Sequence, residues 1–198
     1  SDNAGRSVSL SGDRVAIGVS TPLGSAAAVR IFEWSGSAWN QLGGNIFAEN
    51  NDPYAGLLRS VSLDGDRVAI GAPMNPGAGG VDYSRYGHVR VYAWDGSAWK
   101  LMGTDIDGLL QSEQFGTSVS LKGDRLAVGA KLAESPTDKS GNVRVYDWDG
   151  YGWNQVGNTM KGDVNKVEEN FGASVSLYGD LVAASAPGND DGGSEAGH

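Results

Sequence analysis

The sequence predicts an all-β fold of β-propeller blades, each a four-stranded antiparallel repeat of about 56 residues. Three observations carry that expectation. A Ser-Val-Ser-Leu tetrad recurs at Ser7–Leu10, Ser60–Leu63, Ser118–Leu121 and Ser174–Leu177, with offsets of 53, 58 and 56 residues. A Val-Arg-hydrophobic-aromatic-x-Trp segment follows three of the four tetrads, at Val29–Trp34, Val89–Trp94 and Val143–Trp148. Every apolar run is short, rich in β-branched or aromatic residues and bounded by Gly, Asp, Asn or Ser, and none sustains a helical period.

The elements follow in order. Strand one is the tetrad, alternating Ser with Val or Leu as a two-faced strand does. Gly12-Asp13, Gly65-Asp66, Gly123-Asp124 and Gly179-Asp180 then supply tight hairpin turns. Strand two alternates Ala and Gly with larger residues, as in Val68-Ala69-Ile70-Gly71. A variable loop leads to strand three, which ends on Trp. A four-residue turn leads to a second Trp that opens strand four, at Trp39, Trp99 and Trp153. Small side chains on inner strands and Tyr or Trp on outer ones suit blades that converge on an axis. A stacked sandwich gives no reason for that gradient to recur in step with the repeat.

Composition narrows the function classes. Among 198 residues there are 31 Gly, no Cys, two His and a formal net charge of -9. The Gly excess is turn punctuation in an ordered array. The absence of Cys excludes a disulfide framework, a thiolate nucleophile and a zinc–thiolate site. The acidic balance opposes nucleic-acid binding, which needs a basic patch. No apolar run approaches the ~18 residues of a membrane-spanning helix, so no membrane insertion is expected of this segment.

These repeats resemble the FG-GAP repeats of integrin alpha-subunit heads and of many bacterial and algal surface proteins. Phe115-Gly116 and Phe171-Gly172 supply the Phe-Gly pair before strand one, and Gly71-Ala72-Pro73 the triplet after strand two. Gly129-Ala130-Lys131 and Ser185-Ala186-Pro187 are degenerate triplets, and repeat one reads Gly5-Arg6 and Gly18-Val19-Ser20 at the two places. The resemblance implies a seven-bladed ring and an extracellular or cell-surface setting. The family's calcium loops lie between strands one and two. Here that connection is a two- or three-residue turn, too short to deliver the 6–8 oxygens calcium takes.

The pattern fills one partial propeller domain over 1–198, with repeats at about 1–53, 54–111, 112–167 and 168–198, the last incomplete. Seven hairpins make about three and a half blades. An open arc exposes apolar faces and strand edges, so a protein partner, a second copy or further residues of a longer propeller are expected to complete the ring.

Candidate sites are few. Trp34/Trp39, Trp94/Trp99 and Trp148/Trp153 either pack between blades or stack on a sugar ring; recurrence in phase with the fold speaks for packing. Asn189, Asp190, Asp191 and Glu195 form the densest oxygen cluster, read as a solvated acidic loop or a calcium site. His88 sits at a variable position shared with Ala28, Asn142 and His198, which argues against catalysis. Arg14, Arg67 and Arg125 after the turns, and Arg30, Arg90 and Arg144 in strand three, read as blade-to-blade ion pairs, with Leu181 breaking the first set. No acid/base pair, nucleophile triad or phosphate loop has support. The expected function is a non-catalytic extracellular module for protein interaction, adhesion or assembly, with no cofactor. A carbohydrate-binding propeller is the alternative, and a propeller-scaffold hydrolase or lyase the third.

Overall fold

The computed structural model describes residues 3–20, 27–48, 58–76, 85–132, 140–163 and 169–189. Within them the chain is all-β, with antiparallel sheets that follow one another along the sequence. The first sheet runs β1 (Asn3–Ser11), β2 (Arg14–Ser20), β3 (Ala28–Trp34) and β4 (Trp39–Gln41), with β5 (Ile46–Phe47) also on β3. The second runs β6 (Ser60–Asp64), β7 (Arg67–Ala72) and β8 (His88–Trp94), with β9 (Trp99–Leu101) and β10 (Ile106–Asp107) both on β8. The third runs β11 (Phe115–Lys122), β12 (Arg125–Ala130), β13 (Asn142–Trp148) and β14 (Trp153–Lys161), and the fourth pairs β15 (Val175–Tyr178) with β16 (Leu181–Ala184). These are propeller blades, numbered 1 to 4 below.

The turns behave as their residues require. Gly12, Gly65, Gly123 and Gly179 stand first in the two-residue hairpins with φ of 55 to 57°, and no Asp that follows has positive φ. Gly at the first central position is the mark of a type II′ turn. Strand four differs among the blades. In blades 1 and 2 it breaks after three residues, at Gly43 and Gly103, both with φ of 74°. The chain rejoins strand three at β5 and β10. Blade 3 keeps β14 whole but shifts its register on β13 between Val143 and Val145.

The interior is divided between blade junctions. One buried cluster joins Ala16, Val29 and Ile31 of blade 1 to Val61, Leu63 and Val68 of blade 2. The other joins Ala69, Val89 and Val91 of blade 2 to Val119, Leu126 and Tyr146 of blade 3. The alternation in strands one and two thereby acquires a direction. Ser9 and Ala16 face the following blade, while Val61, Leu63, Val68 and Ile70 face the preceding one, so large side chains fill the room that small ones leave. Each blade touches its neighbours, as in other repeat arrays.

Candidate functional site

The four inner strands lie side by side, and their serines form the joint. Ser9 Oγ accepts from Leu63 N, Ser62 Oγ from Leu121 N, and Ser120 Oγ from Leu177 N, each at 2.9 Å. The amide of that Leu points away from its own hairpin, because it lies one residue from the hydrogen-bonded pair that closes the turn. The other Ser of the tetrad works differently. Ser60 Oγ donates to Gly116 O and Ser118 Oγ to Gly172 O, both at 2.8 Å.

That contact explains the Phe-Gly pair. Gly116 and Gly172 have φ of 85° and 86°, a left-handed conformation that suits Gly. In β11 this Gly forms a bulge that pushes its carbonyl toward the preceding blade. A Cβ on Gly71 or Gly129 would fall well inside 3.0 Å of the carbonyl oxygens of Gly116 and Gly172 respectively. The Gly of each triplet is thus required by the Gly of the next Phe-Gly pair. Blade 1 has the same bulge at Gly5, with φ of 85°. The structural counterpart of Phe-Gly in repeat one is therefore Ala4-Gly5, one residue earlier than Gly5-Arg6. Blade 2 has Leu58 at the Gly position, and Ser7 Oγ, which would have reached that carbonyl, is buried without a hydrogen-bond partner.

The turn-proximal Arg series joins blades as expected. Arg14 reaches Asp66, Arg67 reaches Asp124 at 2.5 Å and Arg125 reaches Asp180 at 2.7 Å, always one blade ahead. Asp64 bridges the same rim, taking Lys122 Nζ and Gly123 N at 2.7 Å each. Although burial pushes the Asp64 carboxyl up, these bonds outweigh it and hold it below the ordinary carboxylate range. The strand-three series is a correction: Arg90 grips Asp105 with bonds of 2.6 and 2.7 Å, and Arg144 meets Glu113 at 2.5 Å, both within their own blade segment. Inner faces are already filled by apolar residues, so these guanidinia turn to the carboxylates beside their own strand. Arg144 and Glu113 are 2% and 0% exposed, and Arg144 also lies 5.1 Å over the Phe115 ring.

The six Trp form three cross-strand pairs, with ring centroids 5.5 Å apart in each. Two pairs clasp the blade behind. Trp99 Nε1 donates to Leu42 O at 2.9 Å, and a Cβ on Gly43 would strike Trp94. Gly103 lies under Trp148 in the same manner. Trp34 and Trp39 of blade 1 have no blade behind them among the described residues and are 39% and 47% exposed.

Of the acidic cluster, Asp190, Asp191 and Glu195 lie outside the described residues. Asn189 is buried, and its side-chain amide donates to Glu169 Oε1 at 2.6 Å. Sequence reasoning missed one grouping: His88, Asp105 and Asp107 present ligand-type atoms within 4.8 Å of one another. The β8–β10 pairing sets Asp107 opposite His88, a register that short β10 concealed. Arg90 already engages both Asp105 oxygens, which makes this first a charge cluster.

A model of the FG-GAP repeat matches residues 104–146 and 153–198. These two segments carry FG-GAP repeats. Each matched segment begins around strand four of one blade and continues into the first strands of the next. No curated protein matches the chain.

Proposed function

We propose that this FG-GAP propeller module is a non-catalytic protein-interaction unit, used for adhesion or assembly at the cell surface or outside the cell. One observation carries the reading: blade 1 presents an open face whose counterparts in blades 2 and 3 are buried. Val8 and Leu10 are 63% and 67% exposed, while Val61, Leu63, Val119 and Leu121 are all 8% or less. Leu10 lines an almost wholly apolar depression with Val15, Ile17, Phe32 and Trp39. A contiguous apolar patch of this kind marks an interaction site. The test is hydroxyl-radical footprinting of the chain in complexes isolated from its source. Protection of Val8, Leu10 and Trp39 relative to the purified 20.6 kDa chain supports the reading, and a lone, fully labelled chain contradicts it.

A carbohydrate-binding role is the second reading, and the exposed rings of Trp34 and Trp39 favour it there, beside Asp13 in an open cleft. Soluble glycan arrays with Trp39→Ala as control decide it: glycan binding lost in the variant supports it, and no binding by the native chain ends it.

A further inference from the structure

The blade junctions repeat closely enough to specify what the open face of blade 1 receives. We infer that it takes an inner hairpin of the same repeat type, carrying Ser-x-Ser in its first strand, Arg directly after its Gly-Asp turn and Gly opposite the first Ser. We infer equally that blade 4 of a second copy, in its native sequence, is not that hairpin. This rests on the interaction reading above and adds the chemistry of the partner.

Three features of blade 1 match the receiving side of the internal junctions. Gly5 has the φ of Gly116 and Gly172, whose carbonyls accept from the preceding blade's first Ser. Leu10 N occupies the place of Leu63, Leu121 and Leu177 N, each bonded to the preceding blade's second Ser. Asp13 occupies the place of Asp66, Asp124 and Asp180, each reached by the preceding blade's Arg. None of the described residues pairs with the Asp13 carboxylate. The apolar side chains between these points are the exposed Val8 and Leu10.

Among the described residues blade 4 is the donor side with no further blade against it, and it fits only in part. Ser174 and Ser176 are in place. Leu181, however, stands where blades 1 to 3 carry Arg14, Arg67 and Arg125, and it is 72% exposed. Ser185 stands opposite Ser174, where β12 has Gly129 and β7 has Gly71. At those two junctions a Cβ overlaps the neighbouring Gly carbonyl, and Ser185 brings such a Cβ against Gly5. Blade 4 therefore offers a steric conflict to Gly5 and, among its described residues, no cation to Asp13. The junction of blades 1 and 2 shows the rule from the other side: with no bulge Gly in blade 2, Gly18 meets only Ser7 of its own sheet.

The test restores the missing chemistry in the full chain. Leu181→Arg/Ser185→Gly is expected to associate head to tail at least about tenfold more tightly than the native chain, from relief of the overlap plus one exposed ion pair. Sedimentation velocity over a concentration series reads the change, and Leu10→Glu added to the double variant is expected to abolish it. Native self-association that is as tight as the variant's and is also lost with Leu10→Glu overturns the inference. So does a folded double variant that gains nothing. If circular dichroism shows that the double variant has lost its sheet, Leu181→Arg alone takes its place: tighter association than native supports the inference, and equal or weaker association overturns it. Association of the engineered variant is independent of whether native complexes protect Leu10, so failure of this inference and failure of the interaction reading give different results.

Discussion

Replacing Gly129 by Ala tests the blade joint at its tightest point. The added methyl would lie well inside 3.0 Å of the Gly172 carbonyl oxygen and 2.9 Å from its carbon, and it would also crowd Ser118 Oγ. Both neighbours are held, because Ser118 Oγ donates to that same oxygen at 2.8 Å. Overpacking of a close-packed site costs about 1–3 kcal/mol. Loss of the Ser118 hydrogen bond adds about 0.5–1.5 kcal/mol. Gly129 lies outside the left-handed region, so Ala gains about 0.4–1 kcal/mol by restricting the unfolded chain. The net expectation is a loss of about 0.5–4 kcal/mol, or about 1–16 °C in Tm for a chain of this size. Gly44→Ala is the control, since nothing lies within 4 Å of its Cβ position and its φ is not positive; it should be neutral or slightly stabilising. Thermal unfolding followed by circular dichroism compares the two. Equal Tm values would show that blades 3 and 4 do not meet through their glycines.

Other consequences follow from the ion pairs and the clasps. Arg67→Ala should cost no more than about 1 kcal/mol in urea denaturation, because its partner Asp124 is exposed. Arg144→Ala should cost about 3–5 kcal/mol by leaving Glu113 buried without its cation, and Glu113→Gln/Arg144→Met should recover much of that loss. Trp99→Phe should lose about 0.5–1.5 kcal/mol with the bond to Leu42 O, and with it part of the tryptophan exciton band in the far-ultraviolet dichroism. Asp95 accepts from Ala98 N, the Ser97 hydroxyl and Ser97 N, which hold its carboxyl at about 2. A carboxyl depressed in the folded state contributes stability that is present above its ordinary value near 4 and lost as pH falls toward 2. Order in the Trp94–Trp99 turn should decline in that window, and Asp95→Asn should remove the pH dependence of its fluorescence.

Much of the fold is legible in the sequence because turns and blade contacts use distinct residues. Gly-Asp marks the hairpins, and the repeat spacing of Arg14, Arg67 and Arg125 is enough to point to pairs across blades. The direction of Arg90 and Arg144 is hidden, since their partners Asp105 and Glu113 sit outside the strands and at different points of the repeat. The Trp recurrence tells of packing but not of its counterpart, because Leu42 and Gly43 contribute only backbone. The same holds for the two glycines of each joint: a carbonyl seated against a Cα leaves no side-chain pattern beyond the glycine itself. The open face of blade 1 is also invisible locally, for Val8 and Leu10 have the same identities as their buried counterparts.

Residue-resolved amide hydrogen exchange puts the central claim to its most direct test. The amides of Leu63, Leu121 and Leu177 are capped by serines of the preceding blade, while the Leu10 amide has no such cap among the described residues. In the purified, monomeric chain the first three are expected to be protected, with Leu10 exchanging fast. Equal rates at all four positions, whether fast or slow, would contradict an array of blades joined by these serines and open at its first face.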